Sequence, residues 1–340
     1  MMRTLKIMLL IGAVLCLFDL AVYTQWVRQT VDTTASLRGL SVVNEKVIWA
    51  SGTGGTFIKT VDGGTTWKVM TVPAAEKLDF RDIEAFDANT AYGLSIGNGE
   101  SSRIYKTVDG GATWKLQFTN TDAKAFFDAI ACWDRNNCIA MSDPVDEHFL
   151  LISTSNGGDS WQAIGSKQSP VVTYGETAFA ASGTCLITQG KSNAFIVSGG
   201  ARARVLRSPD RGITWSDVNP TFISGTSGSG IFSIAMFDAK KGVIVGGNYE
   251  KPQQNKWNLA FTRNGGVSWT SGKGLGGYRS GVAYIDKETI IAVGSSGSDI
   301  SVDDGKTWRN LDSENYNSVQ AKGKRAIWAV GAKGLIVKMK

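Results

Sequence analysis

An eight-residue motif suited to a tight turn recurs six times along the chain and constrains the fold more than any other sequence feature. Its copies are T-V-D-G-G-T-T-W ending at Trp67, T-V-D-G-G-A-T-W at Trp114, T-S-N-G-G-D-S-W at Trp161, S-P-D-R-G-I-T-W at Trp215, T-R-N-G-G-V-S-W at Trp269 and S-V-D-D-G-K-T-W at Trp308. In each copy the Asp or Asn side chain can accept hydrogen bonds from turn amides, glycine supplies positive φ, and tryptophan packs between layers. A motif that recurs at intervals of a few tens of residues is typical of stacked or radial repeat folds.

The segment before each motif also repeats, and it reads as the innermost strand of a blade. The six copies align as L-R-G-L-S-V, F-R-D-I-E-A, F-F-D-A-I-A, Y-G-E-T-A-F, I-F-S-I-A-M and Y-R-S-G-V-A. A seventh copy, Y-N-S-V-Q-A from Tyr316, follows the last motif and is not followed by a turn and fourth strand. Residues 26–31, W-V-R-Q-T-V, resemble the strand after the first motif and can supply that missing strand. The sequence therefore predicts an all-β, seven-bladed β-propeller over residues 22–340, closed by its N-terminal strand.

Composition agrees with this fold and excludes several kinds of function. The 340 residues include 40 Gly, 6 Pro and 11 Trp, which suits many short strands joined by glycine turns. The 36 basic and 30 acidic residues are interspersed, so we expect no nucleic-acid partner. The glycine clusters near Gly54 and Gly276 match no phosphate-binding pattern, and we expect no cofactor. His148 is the only histidine, which argues against a His-ligated metal site and against a Ser/His/Asp triad.

The first residues have the proportions of an export signal. Arg3 and Lys6 precede an apolar run of twelve residues, 7–18, that ends at Asp19. This run is short for a membrane span and typical of a signal peptide. We therefore interpret residues 1–21 as a signal peptide or a retained N-terminal anchor. The expected location is periplasmic or extracellular, and we expect a monomer.

Two of the four cysteines flank a predicted hairpin connection. Cys132 and Cys138 enclose residues 133–137, so their side chains can face each other across two antiparallel strands. A disulfide and a pair of buried thiols are both compatible with this spacing.

Taken together, the repeats resemble those of the Asp-box propellers. These comprise the sialidase superfamily and the Ycf48/HCF136-like photosystem II assembly factors with their uncharacterised bacterial relatives. The second group is more similar to this chain in blade number and in the sequences of its strands. The resemblance covers essentially the whole chain after about Gln25. It implies the fold and does not fix the function, because enzymes and non-enzymes share the Asp box.

Charged residues concentrate where the predicted inner strands begin. The second column of the strand alignment contains Arg38, Arg81, Phe127, Gly175, Phe232, Arg279 and Asn317. The third column contains Gly39, Asp82, Asp128, Glu176, Ser233, Ser280 and Ser318. Ring order places the arginines on neighbouring blades and the acids on blades two to four, which predicts a central pocket with a guanidinium side and a carboxylate side. Because adjacent strand residues point to opposite faces, the alternative is a polar channel whose charges pair between blades.

Loops that return to the same end of the propeller add further candidates. Asp143 lies in the loop of blade three, Arg202 and Arg204 in that of blade four, and Tyr249 opens the loop of blade five. The candidate ligand-binding residues are Arg38, Arg81, Asp82, Arg202, Arg204, Tyr249 and Arg279. The candidate catalytic residues are Glu176, Asp128 and Asp143.

Such a pocket suits an anionic ligand, which leaves three functional hypotheses. The first is an exported hydrolase or lyase on acidic glycans, with arginines holding the anion and Glu176 and Asp128 moving protons. Sialidases resemble this arrangement, but the chain lacks their Phe/Tyr-Arg-Ile-Pro motif and has seven repeats rather than six. The alternative is a non-enzymatic assembly factor or docking scaffold that binds an acidic segment of a membrane protein. The third is a lectin-like module that binds a small anionic molecule or glycan without turnover.

Overall fold

The computed structural model describes residues 25–165 and 167–340, which form seven antiparallel sheets arranged as the blades of a β-propeller. The predicted all-β, seven-bladed architecture is confirmed. The predicted export segment, residues 1–21, lies outside the described residues.

The strands are short, and glycine-rich turns separate them. In chain order the first half comprises β1 (Trp26–Arg28), β2 (Leu37–Val42), β3 (Ile48–Gly52), β4 (Thr56–Thr60), β5 (Lys68–Thr71), β6 (Asp79–Ala85), β7 (Ala91–Ile96), β8 (Arg103–Thr107), β9 (Lys115–Thr119), β10 (Phe127–Cys132), β11 (Cys138–Val145), β12 (His148–Thr154), β13 (Gln162–Ala163), β14 (Glu176–Thr177) and β15 (Leu186–Gln189). The second half comprises β16 (Asn193–Val197), β17 (Gly199–Gly200), β18 (Val205–Ser208), β19 (Ser216–Val218), β20 (Ser229–Met236), β21 (Gly242–Asn248), β22 (Leu259–Thr262), β23 (Thr270–Ser271), β24 (Gly281–Tyr284), β25 (Ile290–Gly294), β26 (Gly297–Ser301), β27 (Arg309–Asp312), β28 (Tyr316–Ala321), β29 (Ile327–Gly331) and β30 (Ile336–Met339). A 3-10 turn lies at Gly99–Ser101.

The N-terminal strand closes the ring as predicted. Blade seven has the order β28-β29-β30-β1, so its first three strands come from the end of the chain and its fourth from the beginning. In this pairing Trp26 lies opposite Met339 and Arg28 opposite Val337. The indole of Trp26 also donates a hydrogen bond to Ser298 Oγ of blade six at 3.0 Å. The outer edge of β30 is therefore paired.

Each Asp-box turn is held by its own side chains. In the first box Asp62 accepts hydrogen bonds from the Thr66 amide at 2.9 Å and the Thr66 hydroxyl at 2.6 Å. Thr60 Oγ1 donates to Asp62 and accepts from the amide of Gly64, whose φ of 95° favours glycine. The hydrogen bonds from Thr66, followed by that from Thr60, lower the pKa of Asp62 to about 2. These contacts support the structural role that the repeat predicts.

The same turns also join neighbouring blades. Trp114 of the second box stacks on Phe57 of blade one at 4.1 Å between ring centroids. Lys59 Nζ of blade one donates to the carbonyls of Ala88 and Gly110 of blade two, each at 2.8 Å. The aromatic contact and the lysine contact thus stabilise the junction between the two blades.

Blade four departs from the predicted strand pattern. Its sheet has the order β15-β16-β18-β19, so the inner strand is Leu186–Gln189 and not the predicted Y-G-E-T-A-F segment. That segment instead contributes β14, which pairs with β17. The following residues, 178–184, contact the inner strands of other blades, and we call them the channel segment. Small residues suit this narrow space, because a Cβ at Gly183 would lie 2.2 Å from Asp82 Oδ1.

The two cysteines that flank the hairpin of blade three form a disulfide. Cys132 and Cys138 are paired residues of β10 and β11, and their sulfur atoms are bonded. Of the two options that the sequence left open, the structure has the covalent one. Cys185 is a buried free thiol.

Candidate functional site

A β-bulge interrupts the inner strand of five blades at nearly the same place. The register shifts leave one unpaired residue in each of these strands, namely Arg38, Arg81, Asp128, Phe232 and Asn317. A bulge redirects the side chain of its extra residue, and all five of these side chains line one cavity. The bulges therefore explain how residues from successive blades converge on the channel. The sequence alignment was wrong by one residue in blade three, because it put Phe127 where the structure has Asp128.

The cavity has a volume of about 790 Å³ and lies at the end of the propeller where the inner strands begin. The channel segment contributes four of its lining residues, 178–181. Because strand direction alternates within a blade, the Asp-box turns lie at the opposite end. A central cavity is present, its lining differs from the predicted one, and the prediction that it binds an anionic ligand stays a prediction.

Arg38 and Arg81 form the basic side of the cavity. Arg38 Nη1 donates to the carbonyl of Ala181 at 3.2 Å, and Arg81 Nη1 donates to the carbonyl of Ala180 at 3.2 Å. Arg81 also pairs with Asp79 at 2.7 Å, whereas no carboxylate of the described residues lies within ion-pair distance of Arg38. Burial, and then the charge of Arg81, lower the pKa of Arg38, although an arginine keeps its proton at neutral pH. Arg38 is thus a partly buried cation with no carboxylate of the described residues within ion-pair distance, which favours binding of an anion.

Two carboxyl groups of blade three adjoin this basic side. Asp128 is 1% exposed, and burial together with the charge of Asp143 raises its pKa well above the ordinary value. Asp143 accepts hydrogen bonds from the hydroxyl of Thr177 and from the amide of Ala178, and burial raises its pKa as well. Both carboxyls line the cavity. Their proposed catalytic roles stay predictions.

Asp82 lies beside the cavity and does not line it. Its two oxygens accept hydrogen bonds from the amides of Ile83 and, in blade three, Ile130, each at 2.8 Å. Burial raises its pKa to about 7, since the surrounding strands exclude water from the charged form. Asp82 therefore connects blades two and three.

Glu176 borders the cavity, but its carboxylate is engaged in a buried ion pair. It accepts hydrogen bonds from Arg204 Nε and Nη2 at 2.8 and 2.9 Å. Ser198 Oγ and the amide of Thr173 also donate to it, at 2.6 and 3.0 Å. This network fixes β14 against β17, so Glu176 and Arg204 stabilise the conformation of the chain around these two strands. Arg202 is exposed, and its Nε donates to Asn219 at 2.7 Å.

Arg279 points away from the cavity. Its Nε and Nη2 pair with Asp299 Oδ2 at 2.8 and 2.6 Å, and both side chains are fully buried. The inner strand of blade six pairs with β25 without a register shift, so no bulge turns Arg279 inward. Tyr278 lines the cavity in its place. The predicted basic side therefore keeps two of its three arginines.

The cavity also has an aromatic wall, which the sequence analysis missed. Its rings come from blades five and six and from the channel segment. The ring of Phe232 stacks on Phe179 with centroids 3.8 Å apart. The rings of Tyr278 and Tyr249 lie nearly perpendicular to that of Phe232, with centroids 4.8 and 6.2 Å from its centroid. Phe232 stands in the alignment column that contains the arginines, and this position was the available signal. Tyr249, a predicted ligand-binding residue, lines the cavity and is 49% exposed.

The described ranges contain neither a candidate metal cluster nor a membrane-spanning helix. No group of three or more His, Cys, Asp and Glu side chains within residues 25–165 and 167–340 has the geometry to hold a metal ion. Over the same ranges, no helix combines the length and the hydropathy that crossing a bilayer requires.

The fold and the cavity define the class of this protein: a seven-bladed Asp-box propeller with an arginine-containing central cavity. Within that class, residues 18–115 match the family model described as photosynthesis system II assembly factor YCF48. This match confirms the resemblance to Ycf48-like propellers that the sequences of the repeats indicated.

Solved structures extend this similarity over nearly the whole chain. The structure described as YCF48 bound to D1 peptide is 17% identical, with a TM-score of 0.65 over 92% of this chain and 94% of that one. YCF48 from Cyanidioschyzon merolae is 19% identical, with a TM-score of 0.67 over 92% of this chain and 98% of that one. U3-55K is 12% identical, with a TM-score of 0.60 over 92% and 97%. At these identities the likeness shows the fold, and no curated protein matches the sequence.

Proposed function

We propose that this protein is a non-enzymatic docking propeller that binds an acidic segment of a membrane protein in its central cavity and assists assembly of the complex to which that protein belongs. The observation that carries the proposal is Arg38, a partly buried guanidinium that lies near Arg81 and donates a hydrogen bond to a carbonyl. A peptide carboxylate would supply the anion that this site lacks, through the paired N–H groups that guanidinium presents to carboxylates.

Similarity to known proteins supports a peptide as the ligand. The family model that matches residues 18–115 describes an assembly factor, and one structure of similar fold has a D1 peptide bound. We transfer to this chain the class of ligand only, a peptide segment of a membrane protein.

The engagement of Glu176 also favours docking over glycan hydrolysis. Its carboxylate oxygens already accept four hydrogen bonds, two of them from Arg204. Releasing it for proton transfer would leave Arg204 without its closest partner in a buried site, which is costly. The hydrolase hypothesis and the lectin-like hypothesis have no comparable support.

Export is part of the proposal. The basic start and apolar run of residues 1–18 support a periplasmic or extracellular location, where the cavity would meet exposed segments of membrane proteins. Fractionation of cells that express the tagged full chain checks this part, and recovery in the cytoplasm contradicts it.

The experiment measures binding of a fluorescent peptide that contains several Asp and Glu residues, with an Asn/Gln version of the same peptide as the ligand control. We expect the acidic peptide to bind the full chain, and to bind less tightly as ionic strength rises. Arg38→Ala should weaken binding by ~10-fold or more, because truncating one partner of a desolvated charge pair is costly.

Arg263→Ala is the matched control for this experiment. Arg263 is an exposed arginine of the fifth Asp-box turn that pairs with Asp304 at 2.7 Å, at the other end of the propeller. Its removal should leave the affinity unchanged. Equal binding by the wild type and by Arg38→Ala, or turnover of acidic oligosaccharides that depends on Glu176, would contradict the docking proposal.

A further inference from the structure

The aromatic wall lies across the channel from the basic side of the cavity. Arg38 and Arg81 belong to blades one and two, and in a ring of seven the blade opposite their midpoint is blade five. Blade five contributes Phe232 and Tyr249, and blade six contributes Tyr278. The cavity thus has two arginines on one side and three aromatic rings on the opposite side.

Phe232 does not belong to the hydrophobic core of its blade. It is the bulged residue of β20, so the same backbone geometry that directs Arg38 and Arg81 into the channel also directs this ring. Its apolar contacts are with Phe179, Ala181 and Tyr278, a small cluster separate from the blade cores.

Part of this wall remains open. Phe179 of the channel segment covers Phe232 by stacking on it, whereas Tyr249 meets Phe232 edge-on and is 49% exposed. Tyr278 is nearly buried, and the charge of Arg38 acts on its hydroxyl. An aromatic group placed against Tyr249 would lie in the same cavity as Arg38 and Arg81.

The size of the cavity agrees with a ligand larger than a carboxylate. Its volume of about 790 Å³ falls in the range of sites that bind small organic ligands. A carboxylate bound to Arg38 and Arg81 would occupy a small part of this space. Six aromatic rings are among the residues that bound the remainder, together with small and polar side chains. A flat apolar group could pack against these rings.

We propose that the cavity selects an aromatic side chain located next to the peptide carboxylate that Arg38 and Arg81 bind. This inference rests on the proposed docking function and specifies the ligand: an acidic peptide segment with a Phe, Tyr or Trp at or beside the anchored carboxylate. The arginines supply attraction for the charge, and the wall formed by Phe232, Tyr249 and Tyr278 supplies selectivity.

The test compares four short peptides that share one sequence except at the end. They terminate in Phe or in Ser, each with a free carboxylate or with an amide. We expect the Phe acid to bind the full chain ~10-fold or more tightly than the Ser acid, because burial of a ring contributes apolar surface that serine lacks. Both amides should bind more weakly than the corresponding acids.

Variants of the wall distinguish its role from that of the arginines. Tyr249→Ala should reduce the preference for Phe over Ser, whereas Tyr249→Phe should retain it. Phe232→Leu, which keeps an apolar side chain in the small cluster, should also reduce the preference. The control is Tyr174→Ala, which removes a 99% exposed tyrosine near the same end of the propeller that does not line the cavity.

Three results would overturn the inference. Equal affinities of the Phe and Ser acids, with both still lost in Arg38→Ala, would exclude aromatic selection while the docking function stands. A preference that survives unchanged in both Tyr249→Ala and Phe232→Leu would show that another surface reads the side chain. If no acidic peptide binds in an Arg38-dependent manner, the docking function itself fails, and the inference with it.

Discussion

At the scale of single residues, the cavity shows that equal charges in one alignment column can have different roles. Arg38 faces a carbonyl and lacks a carboxylate partner among the described residues, whereas Arg279 is neutralised by Asp299 in a buried pair. The difference arises from the backbone, because Arg38 occupies a bulge and Arg279 precedes a regular strand. Asp299 lies on β26, 20 residues further along the chain, and its approach to Arg279 depends on tertiary structure. Sequence analysis therefore placed Arg279 in the ligand site, where the structure does not have it.

This distinction predicts different stability effects for the two kinds of arginine. Arg279→Leu leaves the buried carboxylate of Asp299 without its partner, and we expect a loss of about 3–5 kcal/mol in the free energy of unfolding. Denaturant unfolding of the full chain measures the change. The double variant Arg279→Leu/Asp299→Leu should recover much of it, since no uncompensated charge remains. A loss below about 1 kcal/mol in the single variant, as expected for the exposed Arg263→Ala, would contradict the structural assignment.

At the scale of elements, the Asp box behaves as a turn whose hydrogen bonds depend on ionisation. The hydrogen bonds from threonine lower the pKa of Asp62 and of Asp109 from 3.8 to about 2. The folded state therefore binds fewer protons than the unfolded chain between about pH 4 and pH 2. The stability that these carboxylates contribute is present above the ordinary pKa and is lost as the pH falls towards 2.

Replacing these aspartates by asparagine should remove that dependence. Two boxes of this chain already use Asn156 and Asn264, whose side-chain oxygens accept from the amides of Ser160 and Ser268 at 3.1 and 3.0 Å. We expect the double variant Asp62→Asn/Asp109→Asn to fold normally at neutral pH and to lose less stability on acidification than the wild type. Thermal unfolding at several pH values between 4 and 2 measures this difference. If the two proteins lost stability equally as the pH falls, the boxes would not contribute to the pH dependence of stability.

The elements also show which part of the structure the sequence predicts. The six boxes reveal the blades because each turn depends on residues close in sequence, such as Thr60 and Asp62. In blade three the alignment placed Phe127 in the arginine column, whereas the register shift leaves Asp128 unpaired. Both residues are buried, so the pattern of burial does not separate them. In blade four, Glu176 matched the strand pattern although its carboxylate pairs with Arg204 of a later loop. Local repeats thus predict the scaffold, whereas the cavity depends on irregularities in those repeats.

At the scale of the whole molecule, closure of the ring depends on three residues of the N-terminal strand. Trp26 joins blades seven and six through its hydrogen bond to Ser298 and its ring contact with Tyr316, with centroids 5.7 Å apart. Removal of residues 1–33 would expose the edge of β30 and uncover part of the last blade. The two ends of the chain therefore stabilise the same blade.

We expect Trp26→Ala to lower the melting temperature without changing the oligomeric state, because the backbone pairing of β1 persists. Removal of residues 1–33 should instead produce self-association, which size-exclusion chromatography detects. Removal of residues 1–24 alone is the matched control, since it leaves the strand in place. If the chain without residues 1–33 kept the oligomeric state and the stability of the full chain, a closing role for β1 would be contradicted.

The channel segment has a consequence for how binding properties can diverge among similar propellers. Residues 178–184 contact all six other blades, through Arg38, Arg81, Asp143, Phe232, Ser280 and Ser318. The channel segment lies outside the repeats and thus contributes to the cavity through contacts with every other blade. Exchanging this segment would change ligand preference without altering a single Asp box, so the propeller scaffold and its specificity can change independently of each other.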